Sequence, residues 1–497
     1  MIRPRSAPFL PNSSFDSPSP STIAAKPSLW IWISYIWLLF ASSRTLSTWL
    51  AGGRPGRLTE LEAAGSPLDR MLMIVLILLG LLVLGLRTKQ TKEILANNKW
   101  VIVLFVFMAL SVLWSNFPEI SLRRCIRSMG TFVMVLVVLT ERSPLEAMRR
   151  LLRALFLVHI PLSIIAIKYF RYIGVVYNWN GSEEEWAGIS TDKNSLGQIA
   201  MCSGLFCAWQ ILQEWPKNSF WGNVRKSIPS GLLLLLSLWL LRGSKNIHSS
   251  TAIIGFVVCV AVLIGLQYIR KRAAMAKRII VMGTTAACLL GPIVYLAFSA
   301  FDTTPVQTVF EATGRDMTFT GRTYLWSDII DDTARNPVLG VGIGAFWVGP
   351  IGYRMYPLVR WSRITPDWRP EQGHNGYIDV YAQLGAVGVV ILLILIGGGL
   401  VGAFGDLETE FLMGSLRLTL LLSIIMNNVT ESSFLRGEHG LWFLFLLVNT
   451  NIPASIRNAG SGISRRLRTA ITDSAEADAE AHHKTSPSRL PSFGLSR

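Results

Sequence analysis

The chain has 497 residues, of which 51% are hydrophobic and only 16% charged. Soluble domains carry about 25% charged residues, so this composition excludes an ordinary water-soluble globule. Unbroken apolar runs such as MLMIVLILLGLLVLGL (71–86) and GLLLLLSLWLL (231–241) exclude a membrane barrel, whose strands alternate, and leave a bundle of helices. The net charge of +16 would fit nucleic acid in a soluble protein. In a membrane chain the same residues are the usual anchors of cytoplasmic loops, and no nucleic-acid partner is expected.

In chain order, residues 1–28 are rich in Pro and Ser and read as a disordered cytoplasmic tail. A polytopic transmembrane domain follows over 29–457, with twelve spans predicted near 29–45, 69–86, 100–114, 126–140, 152–170, 195–213, 229–241, 252–268, 279–300, 376–403, 415–428 and 439–452. The first run opens on Leu29-Trp30-Ile31-Trp32, an interfacial aromatic pattern. A cleaved signal peptide is the rival, since Ala41, Ser42 and Ser43 follow. The long preceding segment favours an uncleaved anchor. Residues 458–497 read as a second disordered cytoplasmic tail.

Lys and Arg in short loops set the orientation. One alternate set holds Arg87, Lys89, Lys92 and Lys99, then Arg142, Arg149 and Arg150, then Lys217, Arg225 and Lys226, then the basic run 270–278, and is predicted to be cytoplasmic. The segment 404–414 runs against the rule, with Asp406, Glu408 and Glu410. The other face takes the loops 46–68, 115–125, 171–194, 242–251, 301–375 and 429–438. Its longest member, 301–375, is predicted to be extracytoplasmic, and long loops of this kind are usually functional.

Candidate chemistry gathers in those outer loops. Residues 322–334 suit a short amphipathic helix with Leu325, Ile329 and Ile330 on its apolar face. The following glycines, Gly340, Gly342 and Gly344, resemble a dinucleotide loop only superficially, because the βαβ setting is missing. They read as a tight turn where backbone packs closely. His374 and Asn375 stand immediately before an apolar span, and Asn375 is a candidate substrate-binding residue. Histidine titrates near neutrality and suits a general base, although a polar residue opening a span is also ordinary. Arg123, Arg124, Lys193, Asn194, Arg242 and Lys245 are outer polar or cationic residues that suit either lipid headgroups or a diphosphate clamp. Asp331-Asp332 reads as a solvated acidic pair. The sequence contains no Walker motif, HExxH or clustered Cys/His ligands, so no metal or cofactor is expected. Cys125, Cys202, Cys207, Cys259 and Cys288 lie in or beside apolar runs and read as small hydrophobes.

The segments GRTYLWSDIIDDTARNPVLGVGIGAFW and GHNGYIDVYAQLGAVGVV resemble the hallmark region of the O-antigen ligase and Wzy-type polymerase superfamily, on the side of the ExoQ-type exopolysaccharide polymerases. GISTDKNSLGQIA resembles an earlier family motif, with Asp192 where the pattern has His; LRGSKNIHSSTAIIG resembles its Ser-Lys/Arg stretch, and NNVTESSF its late Asn/Glu-Ser motif. The resemblance spans about 115–450. It implies a GT-C-like fold and a metal-independent, inverting glycosyltransferase of a bacterial cytoplasmic membrane. Its donor would be a glycan on undecaprenyl diphosphate, with membrane lipid, a flippase and a chain-length regulator as partners and the active site facing the periplasm. By this resemblance His374 is the base, Arg322 grips diphosphate, and Arg242 or Lys245 assists. Polymerisation of repeat units is the leading reading. Ligation to lipid A core or protein is the second, and a transporter or flippase is the rival from another class.

Overall fold

The computed structural model describes residues 27–52, 66–177, 183–214, 220–244, 247–270, 283, 322–348 and 372–457. These residues are mostly helical. We number the helices α1 (Ile31–Ser42), α2 (Leu46–Leu50), α3 (Pro67–Leu86), α4 (Thr88–Asn97), α5 (Lys99–Ser111), α6 (Pro118–Leu139), α7 (Pro144–Tyr169), α8 (Arg171–Gly174), α9 (Lys193–Glu214), α10 (Phe220–Arg242) and α11 (Ser250–Ile269), followed by α12 (Arg322–Thr333), α13 (Gly376–Thr409), α14 (Phe411–Asn427) and α15 (Gly440–Asn449). A two-stranded antiparallel ribbon, β1 (Val175–Tyr177) with β2 (Glu184–Trp186), sits before α9.

Eleven of the twelve predicted span positions carry a helix, and of the remaining one, 279–300, only residue 283 is among the described residues. Length separates them. Among the described residues, five helices (α3, α7, α9, α11 and α13) are long and apolar enough to cross a membrane. A sixth arises if α4 and the stretch Lys99–Trp114 count as one span bent by 88°. That bend turns the polar sequence TKQTKEILAN of α4 away from the axis of α5, and α4 buries only Ile94. Helices α1, α14 and α15 are apolar but have 12, 17 and 10 residues. At roughly 1.5 Å per residue they fall short of a hydrocarbon core about 30 Å thick. Among the described residues, length and composition together give five or six full crossings rather than one for each predicted run. Every residue of α15 is buried, as expected of a helix that is hydrophobic all round.

The two sets of alternate loops each make contacts within their own set. On one side Arg87 pairs with Glu141 at 2.6 Å, Ser28 donates its amide to Glu141, Asn98 and Asn451 exchange hydrogen bonds, and Ser455 reaches Glu93. Ser28 thus joins the packed body, at the edge of the tail expected over 1–28; residues 1–26 and 458–497 lie outside the described residues. The acidic segment 404–414 belongs to this basic company. Asp406 is paired by Arg417 and Arg457, and Arg270 stacks over Phe411. The Asp406 carboxylate is neutralised from outside the loop, which a count of charges within the loop misses.

On the other side, α13 is broken. Gly385 has φ +64°, ψ −166° inside an otherwise helical run. The break frees carbonyls and amides that hydrocarbon could not satisfy. The segment 337–342 satisfies them: Val341 and Gly342 donate to the carbonyls of Ala382 and Gln383, and Ala386 and Val387 donate to those of Pro337 and Val338. Gly340 is required there, because a side chain would meet the Gln383 carbonyl at 2.5 Å. The Gly-rich turn read from the sequence is therefore a patch on a broken helix. Beside it α12 packs Leu325 and Ile329 against Val341, Ala345, Phe346 and Ala382. Trp326 is buried with them and Ile330 points outward, the reverse of the sequence expectation for Ile330.

Candidate functional site

The polar residues of the outer loops converge on one carboxylate, Glu431. It lies between α14 and α15 and its side chain is only 5% exposed. Arg322, at the start of α12, donates to Glu431 Oε1 at 3.0 Å and to the Thr430 carbonyl. Asn194, in the first turn of α9, donates to the same oxygen at 2.8 Å. His374 Nδ1 lies 3.2 Å from Oε2. Four chain segments distant in sequence thus meet within hydrogen-bond range. Thr251, opening α11, joins them through Thr430 Oγ1.

The electrostatics follow from the geometry. Burial works against the Glu431 charge, but the Arg322 guanidinium and the His374 ring hold its carboxyl below the usual value. An ionised carboxylate only accepts, so His374 carries its proton on Nδ1 and donates it to Glu431. That leaves the Nε2 lone pair free to take a proton. The Gln372 amide lies 3.5 Å from Nδ1 and accepts from Arg436 on its other side.

Local chemistry fixes these positions. His374 has φ +49°, a left-handed conformation that costs a non-glycine residue about 1–3 kcal/mol. Its neighbours enforce it. The Gly373 amide donates to the Asp379 carboxylate at 3.0 Å and its carbonyl accepts from Trp326 at 2.7 Å. The Asn375 amide donates to Ser432 at 3.0 Å, and its side chain accepts from the amides of Tyr377 and Ile378. Asn375 is therefore an N-cap that positions His374, and its side chain is turned into the scaffold. Strain of this kind clusters at functional sites.

Asp192, where the family pattern has His, is the N-cap of α9. Its carboxylate accepts from the amides of Asn194 and Ser195 and from the hydroxyls of Thr191 and Ser195. Burial opposes its charge, while the bonds from Ser195 hold its pKa down. This cap aims the Asn194 side chain at Glu431. His439, the N-cap of α15, accepts from the Leu441 amide at 3.2 Å and is pushed down to about 4 by burial and by Arg436. It is neutral at physiological pH.

The remaining sequence candidates lie further out. Lys193 is paired with Glu185 of β2 at 2.6 Å. Arg123 pairs with Glu119 one turn earlier at 3.1 Å, on the exposed side of α6. Arg124 donates to the Gly344 carbonyl, tying α6 to the Gly-rich turn. Arg242 is exposed at the end of α10, and Lys245 lies outside the described residues. Glu431, Gln372 and Arg436 were absent from the sequence candidates. The signal for Glu431 was present in NNVTESSF, as an acid in the short polar strip between two apolar runs.

Among the described residues no group of three His, Cys, Asp or Glu is placed to hold a metal ion. Asp332 pairs at 3.8 Å with Arg335, in the turn just past the end of α12. Cys125, Cys202, Cys207 and Cys259 are buried thiols, and Cys288 lies outside the described residues.

Residues 231–393, which carry α12, the broken helix and His374, match the family described as O-Antigen ligase. The chain is also similar to the exopolysaccharide production protein ExoQ of Rhizobium meliloti (strain 1021), at 25% identity over 318 residues, 63% of this chain and 67% of that protein.

Proposed function

We propose, for a multi-pass membrane chain of the O-antigen ligase and Wzy-type superfamily with an ExoQ-like sequence, that it polymerises polyprenyl-diphosphate-linked oligosaccharide repeats into exopolysaccharide at the outer face of a bacterial cytoplasmic membrane. The observation that carries this reading is the joint seat of His374, Arg322 and Asn194 on the buried Glu431.

The reaction is a single displacement. An acceptor sugar hydroxyl gives its proton to His374 Nε2 as its oxygen attacks the anomeric carbon of the donor. The bond from that carbon to the diphosphate oxygen breaks, the electron pair leaves with the diphosphate, and the anomeric configuration inverts. Glu431 holds the ring in the required tautomer and offsets the charge that forms on it. Arg322 faces the departing diphosphate, whose growing charge a guanidinium stabilises through two donors at once. Arg242 or Lys245 assists there. The diphosphate supplies its own leaving-group activation, so the reaction proceeds without a nucleotide and without a metal. A flippase supplies the donor, and a chain-length regulator acts on the product.

The O-Antigen ligase match over 231–393 favours a second reading, in which the same chemistry transfers a finished glycan to lipid A core. Purified protein in nanodiscs, given one lipid-linked repeat unit, decides between them. A ladder of products spaced by one repeat, unchanged by EDTA, supports polymerisation. Transfer only when lipid A core is added supports ligation. Loss of both with chelator, restored by Mg²⁺, overturns the metal-free chemistry.

A further inference from the structure

His439 is a second histidine within charge range of Glu431, and its ring is held in the opposite sense to that of His374. His374 turns Nδ1–H to the carboxylate and leaves a lone pair on Nε2. His439 closes the turn that begins at Arg436, whose carbonyl accepts from the His439 amide at 2.9 Å. As the cap of α15, its Nδ1 accepts from the Leu441 amide at 3.2 Å. A backbone amide only donates, so Nδ1 is bare and the proton of the neutral ring is on Nε2. The residue is half-buried, and Nε2–H makes no hydrogen bond among the described residues. A donor in that state is stabilised when an acceptor arrives.

The surroundings select the acceptor. The 436–439 turn touches the site through Arg436 and Gln372, whose amide lies 3.5 Å from His374 Nδ1. On the α9 side, Asp192 acts on the His439 ring, and Asn194 reaches Glu431 at 2.8 Å. Glu431 is paired by Arg322 and Glu438 by Arg436. Asp192 accepts from amides and hydroxyls, and no cation pairs with it among the described residues. Its charge disfavours a phosphate here. A sugar hydroxyl is uncharged and accepts through two lone pairs, so it suits the position.

We propose that His439 donates from Nε2 to a hydroxyl oxygen of the lipid-linked glycan and so helps select the sugar presented to His374. The inference rests on the glycan-transfer reading above. His374 takes a proton in that reaction, whereas His439 lends a hydrogen bond and keeps its own proton. A sugar without the matching hydroxyl leaves the donor unpaired, which is how a site of this kind rejects it.

The test separates the cap from the donor. His439→Asn and His439→Ser both keep an acceptor for the Leu441 amide, as good N-caps do, but neither reaches as far as Nε2–H. Full-length protein in nanodiscs is given the lipid-linked repeat unit and a set of monodeoxy repeats, each lacking one hydroxyl. The expected result is an unchanged thermal midpoint and a kcat/KM for the intact repeat lowered about 3- to 10-fold, the loss of one neutral hydrogen bond. On one monodeoxy repeat, wild type and variants turn over equally. Wild-type kcat/KM in both variants overturns the proposal and leaves His439 as a cap. An equal fractional loss on every monodeoxy repeat also overturns it, since that marks a disturbed scaffold. So does a wild type whose kcat/KM no single deletion lowers, a result that needs no variant to fold. The comparison reads the same with a lipid A core as acceptor, so a failure to make polymer would defeat the polymerase reading and not this one.

Discussion

Replacing Glu431 by glutamine removes one charge at nearly constant volume. The ionised carboxylate accepts charge-assisted bonds from Arg322 at 3.0 Å, His374 at 3.2 Å and Asn194 at 2.8 Å. A carboxamide has one acceptor oxygen, and its NH₂ must face one of these donors. Each charge-assisted bond is worth about 1.5–3 kcal/mol. The Arg322 and His374 side chains are both 23% exposed, so water screens the loss toward the lower end, about 1.5 kcal/mol per bond and about 3 kcal/mol in stability. Only the part that grows as His374 takes its proton slows the reaction. A loss of about 1.5–3 kcal/mol there lowers turnover about 10- to 150-fold. Single-turnover chain growth at saturating lipid-linked repeat measures this, with thermal unfolding in parallel. Glu438→Gln, which leaves the Glu431 cluster intact, is the comparison for folding. Full turnover by Glu431→Gln, with the protein folded, would refute the role of the carboxylate behind the ring.

Arg322→Lys lowers turnover nearly as much as Arg322→Ala, because one ammonium cannot hold both the Thr430 carbonyl and Glu431 while facing diphosphate; steady-state rates of both variants check this. Gly385→Ala is destabilising by more than about 1 kcal/mol, since the residue has φ +64° and a side chain would collide with the Val338 carbonyl; thermal unfolding in detergent reads the loss, and an unchanged midpoint would remove the helix break from the fold. Glu438 has a folded pKa lowered from 4.5 to about 2. Its contribution to stability is therefore complete above pH 4.5 and lost as pH falls toward 2. The stability gap between wild type and Glu438→Gln should be constant above pH 4.5 and shrink below it, and a gap that widens on acidification would contradict the pairing.

Much of the bundle was legible because apolar runs must be helices in lipid, and eleven of the twelve positions are helical. Their lengths were not legible. The runs predicted at 29–45 and 439–452 are longer than α1 and α15, whose ends are set by turns buried inside the bundle, whereas α14 extends past its predicted run at its start. The break at Gly385 was invisible because GAVG sits in an uninterrupted apolar run, and its hydrogen-bond partners come from 337–342, more than forty positions away. Asp406 looked like a violation of charge bias until Arg417 and Arg457 were seen to neutralise it. At the site, His374 stood out as a base that titrates near neutrality, and Arg322 through the resemblance of its segment to the family's hallmark region. Glu431 did not, since a buried acid declares itself only through its partners, and those arrive from α9, α12 and the 372–375 turn. Asn375 was read as touching substrate because it neighbours His374; its bonds to Tyr377 and Ile378 show a cap instead.

The most direct measurement is chain growth by His374→Ala. Purified variant and wild type, reconstituted side by side with a lipid-linked repeat unit, are compared for polymer length and for binding of the repeat. The expected result is a folded variant that binds the repeat as the wild type does and makes no polymer, because the proton on the attacking hydroxyl has no acceptor. A variant that extends chains at the wild-type rate would contradict it, and would leave the His374–Glu431–Arg322 cluster as a structural clasp.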